Sequence, residues 1–490
     1  MAVTEYDAVV VGCGATGSWS AKRLAEAGYR VLVLEAGQTV ALGSSMPGAA
    51  KCLTADGDEF NWIGTERVGG RMAHWGRVCL RMSDLDFTAA ERDGCGISWP
   101  LRYRDLQDHY DRVEAFLEVS GARDDLPQLP NGNHYLAPQR SSTTELNWTA
   151  QVARRMPKVS IIAPREATVG VGAVLAAARV TGNLTIRERC RVTRIVFSRL
   201  TDDVESIEYV DLASGATHLV KARVFLLAAS TLPSTRLLLH SLAEGRRQSM
   251  PGANIIGHFL MDHVCATSVV AAGITPRCDS DAGLEAHPGR YTICVPRFTN
   301  LAGTQEKFSR GYSLFGSAGW ALPELVPQDL QPALNDARAA GASAFWFQAW
   351  GEPLPAYENA VALSPEVDQW GIPLLRVSYK HSNNDSLMRE HQLETIHELS
   401  EVAGFSMSYE TSALASPGTA IHEVGTIRMG SSAESSALNS FARAWGMRNL
   451  YVVDGAAMPS IGTQNPTLTM LALADRACTD IIARERRSEL

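Results

Sequence analysis

The sequence predicts an α/β fold with an α+β second domain: a Rossmann-like parallel-sheet domain, made discontinuous by a domain built on a mainly antiparallel sheet. Three observations predict it. A strand–glycine loop–helix–strand unit opens the chain between Ala8 and Glu35. A strand leading into a helix near Leu219–Leu239 returns to the same texture after an insertion. Residues 265–420 instead alternate with period two, as antiparallel strands with one covered face do. At 490 residues the chain exceeds what one hydrophobic core sustains, so two domains are expected.

The opening unit is the most specific of the three. Ala8–Val11 is a short apolar run suited to a buried parallel strand, and Arg30–Leu34 is a second. Between them stands Gly12-Cys13-Gly14-Ala15-Thr16-Gly17, followed by a helix to Ala27. Gly12 permits the tight turn, Gly14 lets backbone approach a pyrophosphate, and Gly17 lets the helix pack closely on the sheet. Glu35 lies eighteen residues after Gly17, placed with Ala36 to meet a ribose. An acid there disfavours a dinucleotide with an extra ribose phosphate. The motif alone does not separate FAD from NAD.

Composition excludes several classes. Apolar residues make up 45%, charged residues 20%, and the net charge is −8, ordinary values for a globular enzyme. The densest basic cluster, Arg484-Glu485-Arg486-Arg487, reads as a helix end, so nucleic acid is not an expected partner. Nine cysteines are scattered without a C-x-x-C pair, which reads as reduced thiols of a cytoplasmic protein and offers no metal site. The first strand begins within a few residues of Met1 and no run of eighteen apolar residues occurs. Neither a signal peptide nor a membrane span is therefore expected.

Further along, Val68-Gly69-Gly70-Arg71-Met72-Ala73-His74-Trp75 forms a second glycine-rich loop, suited to close approach of a flat ligand. His74 is either a packed histidine beside Trp75 or a contact, or bond, to a cofactor ring. Residues 99–121 recur at helical spacing, and 122–145 read as a loop. Strands are expected at 184–188, 192–197, 207–212 and 219–227, then a helix after Ala228-Ala229-Ser230. In the second domain, Ala344–Trp350 and Pro373–Tyr379 read as strands and Ser386–Val402 as a helix. Phe345, Trp346, Phe347, Trp350 and Trp370 offer either sheet core or a ring platform.

The last seventy residues carry the chemistry. His422 opens His-Glu-Val-Gly-Thr-Ile-Arg-Met-Gly, Asp454-Gly455 follows a strand-like Asn449–Val453, and Asn465-Pro466-Thr467 runs into an apolar helix. A histidine near neutral pKa suits proton transfer, while an amide can donate to an oxygen without ionising. The alternative for His422 is a buried histidine satisfying a carbonyl, and for Asn465 a helix cap.

In this order, these marks, with Met261-Asp262-His263 among them, resemble the glucose–methanol–choline (GMC) oxidoreductases, FAD-dependent alcohol oxidases and dehydrogenases. The resemblance implies FAD, touched by Gly12, Gly14, Thr16, Gly17, Glu35, Ala36, Gly69, Gly70, Arg71, His74, Trp75, Val192, Ala229, Asp454, Gly455, Pro466 and Thr467. Some members bond the flavin covalently to a histidine placed as His74 is, and others do not. It implies His422 as catalytic base and Asn465 as its partner, the His–Asn type found in choline oxidase and pyranose oxidase. Residues 1–98, 180–264 and 421–490 are then the FAD-binding domain, and 99–179 with 265–420 the substrate-binding cap. The expected reaction is oxidation of an alcohol on a sugar, polyol or hydroxylated natural product, with hydride transfer to flavin N5 and O2 or a quinone as acceptor. A non-redox lyase on the same fold, cleaving hydroxynitriles, is the alternative. The substrate and the oligomeric state are not legible.

Overall fold

Ala8–Val11 is flanked in parallel by Val31–Leu34 and Val224–Leu227, with Ala8 level with both Val31 and Val224. The sheet extends outward to Leu184–Arg187 on one side and Leu450–Val452 on the other. The three inner strands are buried along their whole length, which is why they are runs of Val, Leu, Ala and Phe without alternation. This is a computed structural model, and it describes residues 6–40, 53–57, 60–244, 250–265, 269–273, 291–301, 305–319, 332, 343–402, 406–409 and 414–490.

The helix Ala15–Glu26 covers the sheet and packs against Val171–Val180 and the C-terminal helix Thr467–Arg486. Its closeness rests on two glycines. Gly12 has φ +97°, and a Cβ on Gly17 would lie 2.0 Å from the Gly12 carbonyl oxygen. Tyr103–Leu117 packs on Thr467–Arg486. Tyr103–Leu117 and Val171–Val180 thus pack on helices beside the parallel sheet, while Thr143–Arg155, from the same 99–179 stretch, packs on Asn383–Val402 and Tyr312–Gly319.

A five-stranded antiparallel sheet runs in the order Ile293–Val295, Tyr312–Gly319, Ser343–Gly351, Val269–Gly273, Ser406–Tyr409. The helix Asn383–Val402 packs on Ser343–Gly351. Pro373–Tyr379 belongs elsewhere: it pairs antiparallel with Ala360–Val367 and parallel with Leu53–Gly57. Together the parallel and antiparallel sheets make the mixed α/β fold expected.

Two local readings need correction. The stretch 219–227 is two strands. Thr217–Val220 closes an antiparallel three-stranded sheet with Cys190–Phe197 and Val204–Asp211, and Val224–Leu227 enters the parallel sheet. The exposed Lys221 and Arg223 mark the crossing. The loop assigned to 122–145 ends early, because Ser142 and Glu145 form a capping box that starts the helix Thr143–Arg155.

Gly17→Val should destabilise the protein by about 1–3 kcal/mol, because a backbone carbonyl cannot step aside as a side chain can. A lowered thermal unfolding midpoint checks this, and an unchanged one would show that the helix has slack.

Candidate active site

A cavity of about 880 Å³ lies where the parallel strands end and the antiparallel sheet begins. At one end Gly12, Gly14 and Thr16 line it. The helix that starts there has no side-chain cap and no acidic residue in its first turn. Its amide N–H groups and dipole are therefore free to face an anion. Glu35 stands beside them with Ala36 and Val192. Its carboxylate is pinned, one oxygen accepting from Cys13 N and the other from Gly37 N, each at 2.8 Å. Burial pushes its pKa up, and those two donors pull against the rise. A carboxylate accepts about four hydrogen bonds, so sites remain for ribose hydroxyls.

Gly17 and Gly69 do not reach the wall. Gly17 is spent on helix–strand packing, and Gly69 (φ +93°) donates its N–H to Cys13 O over the Val171 side chain. Gly70 and Trp75 do line the cavity. Arg71, also on the wall, ties three segments together, donating to Glu423 Oε2 (2.7 Å), Ile421 O (3.2 Å) and Ser230 Oγ (2.8 Å). His74 faces the cavity with Nε2 3.2 Å from the Arg67 guanidinium. Burial and that cation lower its pKa, leaving the neutral imidazole.

The C-terminal residues line the same cavity. Asp454 accepts from Ser234 Oγ and Ala456 N, and burial lifts its pKa to about 6. Asp454, Gly455 and Ala229 all line the cavity. Pro466 and Thr467 open the final helix there, again without a side-chain cap or first-turn acid.

His422 and Asn465 meet on this wall. Asn465 Nδ2 lies 3.4 Å from His422 Nε2, and the Asn465 Oδ1 is buried without a partner among the described residues. His422 sits deep, with one edge open to the cavity. Burial, then His263 and Arg71, hold its pKa well below the usual 6.5. Its backbone is held under strain, since Ile421 adopts φ +61°, a conformation that β-branched residues avoid. Asp262 secures the loop by accepting from Gly418 N (2.9 Å), Ala420 N (3.2 Å) and His422 N (3.0 Å). Burial and the nearby Glu423 push the Asp262 pKa up to about 7, against the pull of those donors.

Sequence reasoning missed part of the wall. Tyr291 and Gln348, joined by a 3.1 Å hydrogen bond, line it with Trp350, whose ring centroid is 4.9 Å from that of His422. The period-two pattern held the signal: Gln348 and Trp350 face the cavity, and Phe347 and Ala349 face the core. Of the aromatic platform, Phe347 is sheet core. Trp350 is at the His–Asn end and Trp370 lies at the other end, over Arg191. The side chains of Phe345 and Trp346 lie outside the described residues. Among the described residues no group of three His, Cys, Asp or Glu is placed to hold a metal ion, and no helix is long and apolar enough to cross a membrane.

A glycine cradle under an uncapped helix, with a carboxylate at the next strand end, fits FAD, and the imidazole–amide pair lies on the same cavity. The fold and site are those of a flavin-dependent oxidoreductase. The family model described as FAD dependent oxidoreductase matches residues 7–339, and that described as GMC oxidoreductase matches 355–474. The chain belongs to the GMC oxidoreductase family and binds FAD. It is 27% identical to 2-methyl-1,2-propanediol dehydrogenase of Mycolicibacterium austroafricanum, across 98% of this chain and 95% of that one. It is 26% identical to 6'''-hydroxyparomomycin C oxidase of Streptomyces lividus, across 99% and 93%. Among solved structures it is similar in fold to pyridoxine 4-oxidase from Mesorbium loti, with a TM-score of 0.67 at 19% identity over 97% of this chain and 98% of that one.

Glu35→Gln places an amide NH2 against one of two backbone N–H donors. The variant should leave gel filtration with a lower flavin-to-protein absorbance ratio, restored by added FAD.

Proposed function

We propose that the protein oxidises an alcohol to a carbonyl compound at this cavity, with His422 as the base and Asn465 as the donor that holds the same oxygen. The carrying observation is the approach of His422 Nε2 and Asn465 Nδ2 on the cavity wall. Support for the substrate class comes from the relatives, whose names place a diol and an aminoglycoside among their substrates. A sugar, polyol or hydroxylated natural product fits a wall that mixes Trp350 with the polar Tyr291 and Gln348.

The substrate hydroxyl donates to His422 Nε2 while Asn465 Nδ2 donates to the same oxygen. As the hydroxyl proton moves to Nε2, charge builds on that oxygen, and the amide opposes it without ionising. Two groups gripping one oxygen also restrict where the carbinol carbon points. Bound FAD would supply the hydride acceptor, flavin N5. Candidate holders for it are Gly12, Gly14 and Thr16 at the pyrophosphate, Glu35 at the ribose, and Gly70, Arg71, Asp454, Gly455, Pro466 and Thr467 nearer the ring. Flavin bonded to His74 would stay yellow in an acid-precipitated pellet; flavin held by contacts alone would leave with the supernatant.

Anaerobic mixing with a panel of 2-methyl-1,2-propanediol, sugars and aminoglycosides should bleach the visible flavin band for at least one alcohol. No bleaching across such a panel, with turnover of a hydroxynitrile instead, would favour the lyase. Readmitting air then separates an oxidase, whose colour returns quickly, from a dehydrogenase that needs a quinone. His422→Ala should slow bleaching by roughly 10²–10⁴-fold at unchanged FAD content. A depressed pKa keeps the imidazole unprotonated at all pH above it. The acid limb of kcat/KM should therefore fall below pH 6.5, with Asp262, Glu423, His263 and Arg71 as the neighbouring charges and titrating groups.

A further inference from the structure

Asp262-His263 stands on the opposite side of His422 from Asn465, and the reaction outlined above gives His263 no part. Its Nε2 lies 3.0 Å from Gly462 O, and its Nδ1 lies 3.0 Å from His422 Nδ1. These two distances, with a neutral His263, assign the hydrogens by elimination. A carbonyl oxygen only accepts, so His263 Nε2 carries the hydrogen. His263 is buried, and burial lowers its pKa to about 4, so it is neutral and has a bare Nδ1. Two bare nitrogens would not sit at hydrogen-bond distance, so His422 Nδ1 carries a hydrogen and donates it. A neutral His422 then has its lone pair on Nε2, the atom that faces Asn465 and the cavity.

We propose that His263 is a positioning residue for His422, fixing by the relay Gly462 C=O to His263 to His422 both the tautomer and the ring orientation that proton abstraction requires. The proposal deepens the reading of His422 as base and rests on it. The ring planes cross at 82° with centroids 5.0 Å apart, so an edge N–H meets an in-plane lone pair. Trp350 packs against both rings and limits their rotation. Asp262 accepts from the His422 backbone N–H, so two consecutive residues hold the main chain and the side chain of one histidine. The partner is an imidazole, not a carboxylate. It orients His422 without the anionic field that would raise its basicity, so the proton gained is easily passed on.

The test uses the FAD-loaded protein with 15N-labelled histidine, and needs no substrate for its first arm. The His422 signals, identified by their loss in His422→Ala, should report a protonated Nδ1 and a bare Nε2, and should become a tautomer mixture in His263→Phe. A wild-type His422 protonated at Nε2 overturns the proposal. In the second arm, on the alcohol that bleaches the flavin fastest, His263→Phe should lower kcat about 10–100-fold with little change in KM, part of the ~10²–10⁴-fold that a base supplies. His263→Asn, whose Oδ1 can accept where Nδ1 stood, should recover to within about fivefold of wild type. Equal rates in the Phe and Asn variants overturn the acceptor role. Full activity in His422→Ala would instead overturn the base reading, while the tautomer result would stand unaffected.

Discussion

One buried carboxylate does more to shape this site than any residue in contact with the cavity. Asp262 collects three N–H groups from the short loop Gly418–His422, and these hold Ile421 in a conformation it would otherwise leave. Backbone strain of this kind costs on the order of 1–3 kcal/mol and persists only where surrounding bonds over-determine it. Arg71 adds a second restraint through Ile421 O and Glu423. The reward is placement: a turn of the chain at Ile421 delivers His422 to the wall of the cavity that the glycine cradle also lines.

The cavity joins segments that are remote in sequence. The strand Leu450–Val452 adds to the edge of a sheet whose centre is Ala8–Val11. That addition carries Asp454, Gly455 and Asn465 to the same cavity as Gly12 and Glu35. Two helices, Ala15–Glu26 and Thr467–Arg486, begin on this cavity without side-chain caps. A buried helix start that lacks a cap needs another partner for its N–H groups, and a bound anion or an electron-rich ring edge supplies one. Polar chemistry is thus concentrated on the parallel-sheet side. The antiparallel-sheet side contributes breadth through Gln348 and Trp350, with Tyr291 just ahead of the strand Ile293–Val295.

Much of this was legible along the chain because it is local. The cradle Gly12–Gly17, the strand end at Glu35 and the helix after Pro466 are each specified within one turn of backbone by residues with few alternatives. The capping box Ser142–Glu145 was equally local, and went unread inside a stretch rich in loop-forming residues. The division of 217–227 between two sheets was not legible, because only three residues separate Thr217–Val220 from Val224–Leu227, and the break shows in the different partners the two strands take. Gly69 read as a ligand contact since a glycine pair signals close approach. What approaches Gly69 is Val171 and the Cys13 carbonyl.

By itself the sequence determined the fold class and a dinucleotide cradle, since each is encoded by short motifs whose residue types answer a local steric or chemical need; FAD, and an imidazole and amide at one site, came from the order of those motifs taken as a family resemblance. The tertiary structure decided which atoms of those residues face one another. Whether His422 presents Nε2 or Nδ1 to the cavity depends on a histidine 159 positions away and on a carbonyl at Gly462. No pattern along the chain encodes that choice, because it is made by hydrogen-bond partners that only folding brings within 3 Å of one another.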